Sequence, residues 1–177
     1  MPGRVHQRLR TDKVNMLIIS GSMKKDFTQR FGFLVNDVGR LYGRRFDQLA
    51  RQQLGLSRAQ CRLIAAVAMH EDERPLTQTE LAQRLDLSTM AVATLCDRME
   101  AAGWIRREPS PTDRRANGIA LQPSAHKALD AAVAVSDVVQ AQALAGFSAA
   151  DRSQLIALLR RAHGNLQALS ADDAEGA

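Results

Sequence analysis

Apolar residues recur every three or four positions along most of the chain, and the breaks in that rhythm divide it into helices. Phe31, Leu34, Val38, Leu41, Tyr42, Phe46 and Leu49 mark one face of a long helix expected from about Lys25 to Gln53. Leu63, Ile64 and Val67 mark a second helix, opened by Ser57 and Gln60 at capping-box spacing and running to about Met69. Beyond a polar turn at 71–75, Thr77 and Glu80 repeat that spacing and start a short helix from Gln78 to about Leu85, with Leu81 and Leu85 on one face. Asp86-Leu87-Ser88 reads as a tight turn, with Ser88 capping a helix from about Thr89 to Ala102 that turns Val92, Leu95 and Met99 inward. Gly103 stands where a helix ends in the left-handed conformation.

The period then changes. Trp104 to Arg107 is a short strand and Gly118 to Leu121 its return, joined by a loop of Pro109, Ser110, Pro111 and Asp113 that carries Arg114 and Arg115. A helix from Pro123 to about Leu144 follows, with Leu129, Ala132, Val133, Val139 and Ala143 available for packing. Ser148 and Asp151 start another through about Leu169, in which Leu155, Leu158, Leu159, Leu166 and Leu169 repeat at helical spacing. The pattern predicts a mainly α fold with a small β-wing. A winged helix-turn-helix core spans 54–122, helices at 26–53 and 123–169 flank it, and an acidic tail at 170–177 is expected to fray. Two helices at a tight turn followed by a basic hairpin form a device that reads DNA.

The same stretch resembles the DNA-binding core of the MarR family (multiple antibiotic resistance regulators), in particular its SlyA-like branch. The residues that carry the resemblance are Leu76-Thr77-Gln78 with Glu80-Leu81-Ala82, Asp97-Arg98 with Glu100, Gly103-Trp104-Ile105, Arg107, and Asp113-Arg114-Arg115-Ala116. Leu54 to Gln60 also resembles that branch, so the likeness runs from about Phe31 to Leu169. Gln122 to Ala125 departs from it, because the family usually enters its next helix through Leu-Thr-x-x-Gly. Pro123 is nevertheless suited to a first helical turn. The resemblance implies a homodimer interlocked through its terminal helices. The first and the last two helices indeed carry more apolar surface than a small winged domain covers. It also implies a regulator, commonly a repressor relieved by a small anionic or phenolic ligand held between the dimerisation helices and the DNA-binding domain.

Charge changes this picture less than the pI of about 9.9 suggests. The net +5 lies in the first 30 residues, where seven Lys/Arg face two acids; the remainder holds 17 of each sign. Residues 1–25 lack helical periodicity and are expected to be a basic, disordered leader. Met16 and Met23 are alternative starts, so the leader is foreign to the native chain or plainly disordered; the sharper alternative is a basic arm that touches DNA phosphates. No apolar run approaches the roughly 18 residues that span a membrane. Cys61 and Cys96 lack metal-ligand spacing and suggest no disulfide framework, which points to a reducing cytoplasm. No cofactor is expected.

A recognition helix of about 14 residues is roughly 21 Å long, enough to enter a major groove about 12 Å wide. Its outward face offers Thr89, Met90, Ala91, Ala93, Thr94 and Arg98. Methyl contacts to thymine are therefore the expected direct readout, with Ser88 and Gln78 positioning phosphates. Arg106, Arg107, Arg114 and Arg115 make the hairpin basic and suited to a narrow minor groove. By resemblance, Asp113 orients an arginine and Arg115 makes the minor-groove contact; the plainer reading is a surface ion pair closing the hairpin. Arg44, Arg45 and Arg62 are the candidates for an anionic effector, since a guanidinium holds a carboxylate through two hydrogen bonds. Against that stands a solvated face with intrahelical pairs such as Arg44 with Asp47.

Other classes fare worse. Four scattered histidines (His6, His70, His126, His163), with no HExxH, phosphate-cradling loop or nucleophile elbow, give an enzyme nothing to work with. A winged helix that has become a protein-interaction module would not need four arginines around one hairpin. A thiol redox sensor needs an exposed thiol in an electropositive setting, whereas Cys61 and Cys96 fall inside predicted helices.

Overall fold

The computed structural model describes residues 28–72, 74–109 and 117–175. Its elements run α1 (Phe31–Leu54), α2 (Arg58–Ala68), β1 (Leu76–Thr77), α3 (Gln78–Leu85), α4 (Thr89–Ala101), β2 (Ile105–Pro109), β3 (Asn117–Leu121), α5 (Pro123–Ala143) and α6 (Ala149–Glu175). Residues up to 39 form one unit and those from 40 onward another, with α1 continuous through both.

Local chemistry sets most of the helix starts. Ser57 Oγ accepts from Gln60 N–H at 3.3 Å while Gln60 Oε1 accepts from Ser57 N–H at 2.8 Å, which completes a reciprocal cap. Thr77 and Glu80 do the same for α3, at 3.3 and 2.8 Å. Ser148 and Asp151 do it for α6, at 3.2 and 2.9 Å. Pro123 occupies the first turn of α5 with no side-chain cap at Gln122. Gly103, at φ 73°, ends α4: its N–H donates to Glu100 O and that of Trp104 to Met99 O, both at 2.9 Å. Two orphan carbonyls are thereby satisfied and the chain reverses directly into β2.

The core joins α2, α3, α4 and the sheet. Leu63, Ile64, Leu81, Val92, Met99 and Ile105 are each at most 1% exposed, and burial of such a side chain stabilises by about 1.5–3 kcal/mol. The sheet is antiparallel in the order β1-β3-β2, with Leu76 opposite Ile119 and Ile105 opposite Leu121. A smaller cluster of Leu49, Val135 and Val139, flanked by Tyr42 and Phe46, packs α1 on α5. The Tyr42 hydroxyl donates to Ser136 O at 3.1 Å.

Several expectations shift. The first helix begins at Phe31, six residues later than its apolar stripe suggested; residues 28–30 form a turn, and Arg30 O accepts from Leu34 N–H. In α4 the buried stripe is Val92, Cys96 and Met99, with Leu95 half-buried at its edge. Both sets have helical spacing, and the smaller Cys96 takes the tighter position. In α5, Val133 and Ala143 are exposed, and Ala125, Ala128 and Val135 are buried with Ala132 and Val139. Strand β1 was not foreseen. The last helix continues six residues past Leu169 to Glu175, so most of the expected frayed tail is helical. None of the residues of α6 up to Leu169 is buried.

Candidate nucleic-acid interface

Helices α3 and α4 meet through Asp86, Leu87 and Ser88. Asp86 adopts the left-handed conformation at φ 53°, which a short polar side chain tolerates better than most. Ser88 Oγ accepts from Ala91 N–H at 3.2 Å, so α4 starts on an exposed cap with unpaired backbone donors facing outward. Thr89, Met90, Ala91 and Thr94 are exposed, Met90 to 80%. Thr94 Oγ1 donates back to Met90 O at 3.1 Å and keeps its lone pairs for a donor. Ala93 is half-buried, set back from this surface. Arg98, in the last turn of α4, is exposed with no ion pair among the described residues.

The hairpin arginines are engaged differently from what their sequence positions suggest. Arg107 Nη2 is 2.5 Å from Asp97 Oδ1, its Nη1 pairs with Glu100, and its backbone N–H donates to Glu100 Oε1 at 2.9 Å. With its amide oxygen turned towards Arg107, Gln78 accepts from Nη2 at 2.9 Å and Nε at 3.0 Å. Arg107 therefore ties β2 to the outer face of α4 and to the first residue of α3, and both Gln78 and Arg107 have partners inside the protein. Arg106 pairs with Glu108, Nε to Oε1 at 2.7 Å. Asp113, Arg114 and Arg115 lie outside the described residues.

The charge available to an anion gathers elsewhere. A cleft of 580 Å³ beside α1 and the start of α2 is lined by Arg40, Arg44, Arg51, Arg58 and Arg62, with Asp47 as the single carboxylate. Asp47 is fully committed. Oδ2 accepts from Arg51 Nε and Oδ1 from Arg58 N–H, each at 2.7 Å, and these bonds, Arg51 first, hold its carboxyl below the usual range. The suggested Arg44–Asp47 pair does not form. Arg45 is held by Gln142 at 2.9 Å and Gln48 at 3.0 Å, outside the cleft lining. Arg58 was overlooked in the sequence, although its place just after the Ser57 cap set its guanidinium beside α1. A second, more apolar cleft of 390 Å³ is bordered by Tyr42, Phe46, Leu129 and Val133, with Arg58 and Arg62 at its edge.

Neither cysteine is set up for redox chemistry, although Cys61 lines the apolar cleft. Both are buried, and burial pushes the Cys61 and Cys96 thiols up, which disfavours the thiolate a redox sensor needs. Among the described residues, no group of His, Cys, Asp and Glu is arranged to hold a metal, and no helix is long and apolar enough to cross a membrane.

Comparison with known proteins gives a consistent result. The sequence profile of the MarR family matches residues 54–116. An uncharacterised HTH-type transcriptional regulator of Bacillus subtilis, YcgE, is 39% identical over 70 residues, which is 40% of this chain and 44% of that protein. The crystal structure of the transcriptional regulator PA3341 is 31% identical, covers 77% of this chain and 98% of its own, and superposes with a TM-score of 0.64. The apo form of MarR from E. coli (20% identity, 75% and 95% covered, TM-score 0.68) and the S. aureus MepR–DNA complex (21%, 80% and 99%, 0.62) share the fold.

Proposed function

The chain belongs to the MarR family of transcriptional regulators, and from that premise we propose that it is a homodimeric, cytoplasmic repressor that binds a pseudo-palindromic operator in duplex DNA. The observation that carries this reading is the presentation of α4. Its capped N-terminus and the exposed Thr89, Met90, Ala91 and Thr94 form a protruding surface of hydroxyls and methyls. Such a surface matches the thymine methyls and base-edge acceptors of a major groove. Ser88 and the free N–H groups beside it suit a phosphate at the groove edge. Two copies set α4 into successive major grooves about one helical turn apart, and the arginines of the wing tip, with Arg115 foremost, reach the adjacent minor groove.

Relief by a small aromatic acid belongs to the same reading. The apolar cleft behind Tyr42 and Phe46, edged by Arg58 and Arg62, suits a ring with a carboxylate. Occupancy there favours a dimer geometry whose α4 separation no longer matches the groove spacing. Ligand must then bind the free protein more tightly than the DNA-bound one.

The experiment is fluorescence anisotropy with the intergenic DNA upstream of the gene, across a salt series and against random duplex. Tight, salt-sensitive binding with preference for the intergenic fragment is expected, and Arg115→Ala lowers the slope of log K against log salt by about one. Equal, weak binding to both duplexes would leave a winged protein-interaction module as the better account.

A further inference from the structure

A DNA-binding protein gains most of its affinity by neutralising phosphates with basic side chains, yet few basic groups of the described helix-turn-helix are available. Arg74 is paired with Glu80, Arg106 with Glu108, and Arg107 with Asp97 and Glu100. From Ser88 to Cys96 the start of α4 carries no charge at all. The cleft directly at the turn, lined by Thr79, Gln83, Ser88 and Thr89, includes the carboxylate of Asp86. The arginine cleft beside α1 and α2 has the opposite balance: Arg44, Arg58 and Arg62 line it together with the mutually paired Arg51 and Asp47. The two clefts adjoin, because Leu87 lines both.

We propose that the arginine cleft is a second DNA contact, in which Arg44, Arg58 and Arg62 take the phosphodiesters flanking the stretch read by α4. The inference rests on the DNA-binding reading above. All three side chains are exposed, and none has an ion pair among the described residues. Arg58 and Arg62 also edge the apolar cleft, whereas Arg44 lines the arginine cleft alone, and Leu87 of the helix-turn-helix turn borders that cleft. Arg58 is aimed by packing. Its guanidinium lies over Gly43 of α1, where an added Cβ would come 2.7 Å from Cζ. A strand that passes the Ser88 cap and continues beyond Leu87 meets this group of guanidiniums next. The contact reads no base, so it strengthens specific and random binding alike.

The test uses the full-length protein and the same anisotropy measurement, with Arg44→Ala, Arg58→Ala and the double variant. Each removed contact is expected to lower the salt slope by about 0.9 per protomer bound and to weaken operator and random duplex by the same factor. Arg44→Lys should retain the slope, and Arg160→Ala, which removes the same charge from α6, should leave it unchanged. Trimming the duplex to the bases under α4 should weaken the wild type by a larger factor than the double variant, which keeps only Arg62 of the three. Thermal melting confirms that the variants fold, as expected for exposed side chains. A double variant that keeps the wild-type slope overturns the proposal while the DNA-binding reading survives, and inorganic pyrophosphate stabilising only the wild type would then assign the cleft to a free anion. An Arg160→Ala effect equal to that of the cleft variants also overturns it, since bulk charge would suffice. A wild type with no preference for operator overturns the DNA reading itself.

Discussion

Glu80 shows how much a single carboxylate organises at the start of α3. It accepts from the backbone N–H and the hydroxyl of Thr77, each at 2.8 Å, and pairs with the guanidinium of Arg74. Arg74 first and the Thr77 N–H second draw its carboxyl down from 4.5 to about 2. A depressed carboxyl contributes stability that is fully present above its unfolded value and is lost as pH falls through the folded one. The urea midpoint should therefore fall between pH 4.5 and about 2, and Glu80→Gln should flatten part of that fall. A variant with the wild-type pH profile would show that the pair contributes nothing in solution. The two residues of this cap were legible in the sequence because the exchange spans three positions and needs no tertiary structure. Arg107 was not legible in the same way. Its partners Asp97 and Glu100 lie on α4, and only the docking of β2 against that helix brings them to its guanidinium.

Among the elements, α4 depends on how it ends as much as on how it begins. At φ 73°, Gly103 adopts a conformation that an L side chain enters only with strain, and the two hydrogen bonds that close the helix depend on it. Gly103→Ala should cost about 1 kcal/mol or more, read as a lower urea midpoint with unchanged m-value. A neutral effect would mean that the turn relaxes without cost. The Gly103 stop and the Ser88 start were both visible from residue type, which is why the predicted helix ends within one residue of the observed one. Strand β1 escaped because two residues, one of them also the cap of α3, leave no alternation to read. Leu95 packs at the edge of the core beside the buried Cys96 because both fit helical spacing, and only the packed neighbours decide which turns fully inward.

At the scale of the molecule, α6 poses the question that one chain leaves open. It has 27 residues, and among them Ile156, Leu158, Leu159, Leu166 and Leu169 are 41–60% exposed. An isolated helix in water is marginal, and a helix in a folded protein draws most of its stability from packing one apolar face. A helix this long, with no buried residue through Leu169, therefore calls for a surface that the described residues of the protomer do not supply. A second copy supplies it at no cost in new sequence, and a two-fold dimer also provides the paired α4 helices that a pseudo-palindrome requires. Sedimentation should accordingly give about twice the protomer mass of 19.4 kDa. Leu158→Glu, which buries a charge in the interface of such a dimer, should shift the protein to monomer and weaken operator binding far more than binding to a single half-site. If the variant sediments as the wild type does, the partner of α6 is something other than a second copy, and the apolar face would have to be assigned to a different protein.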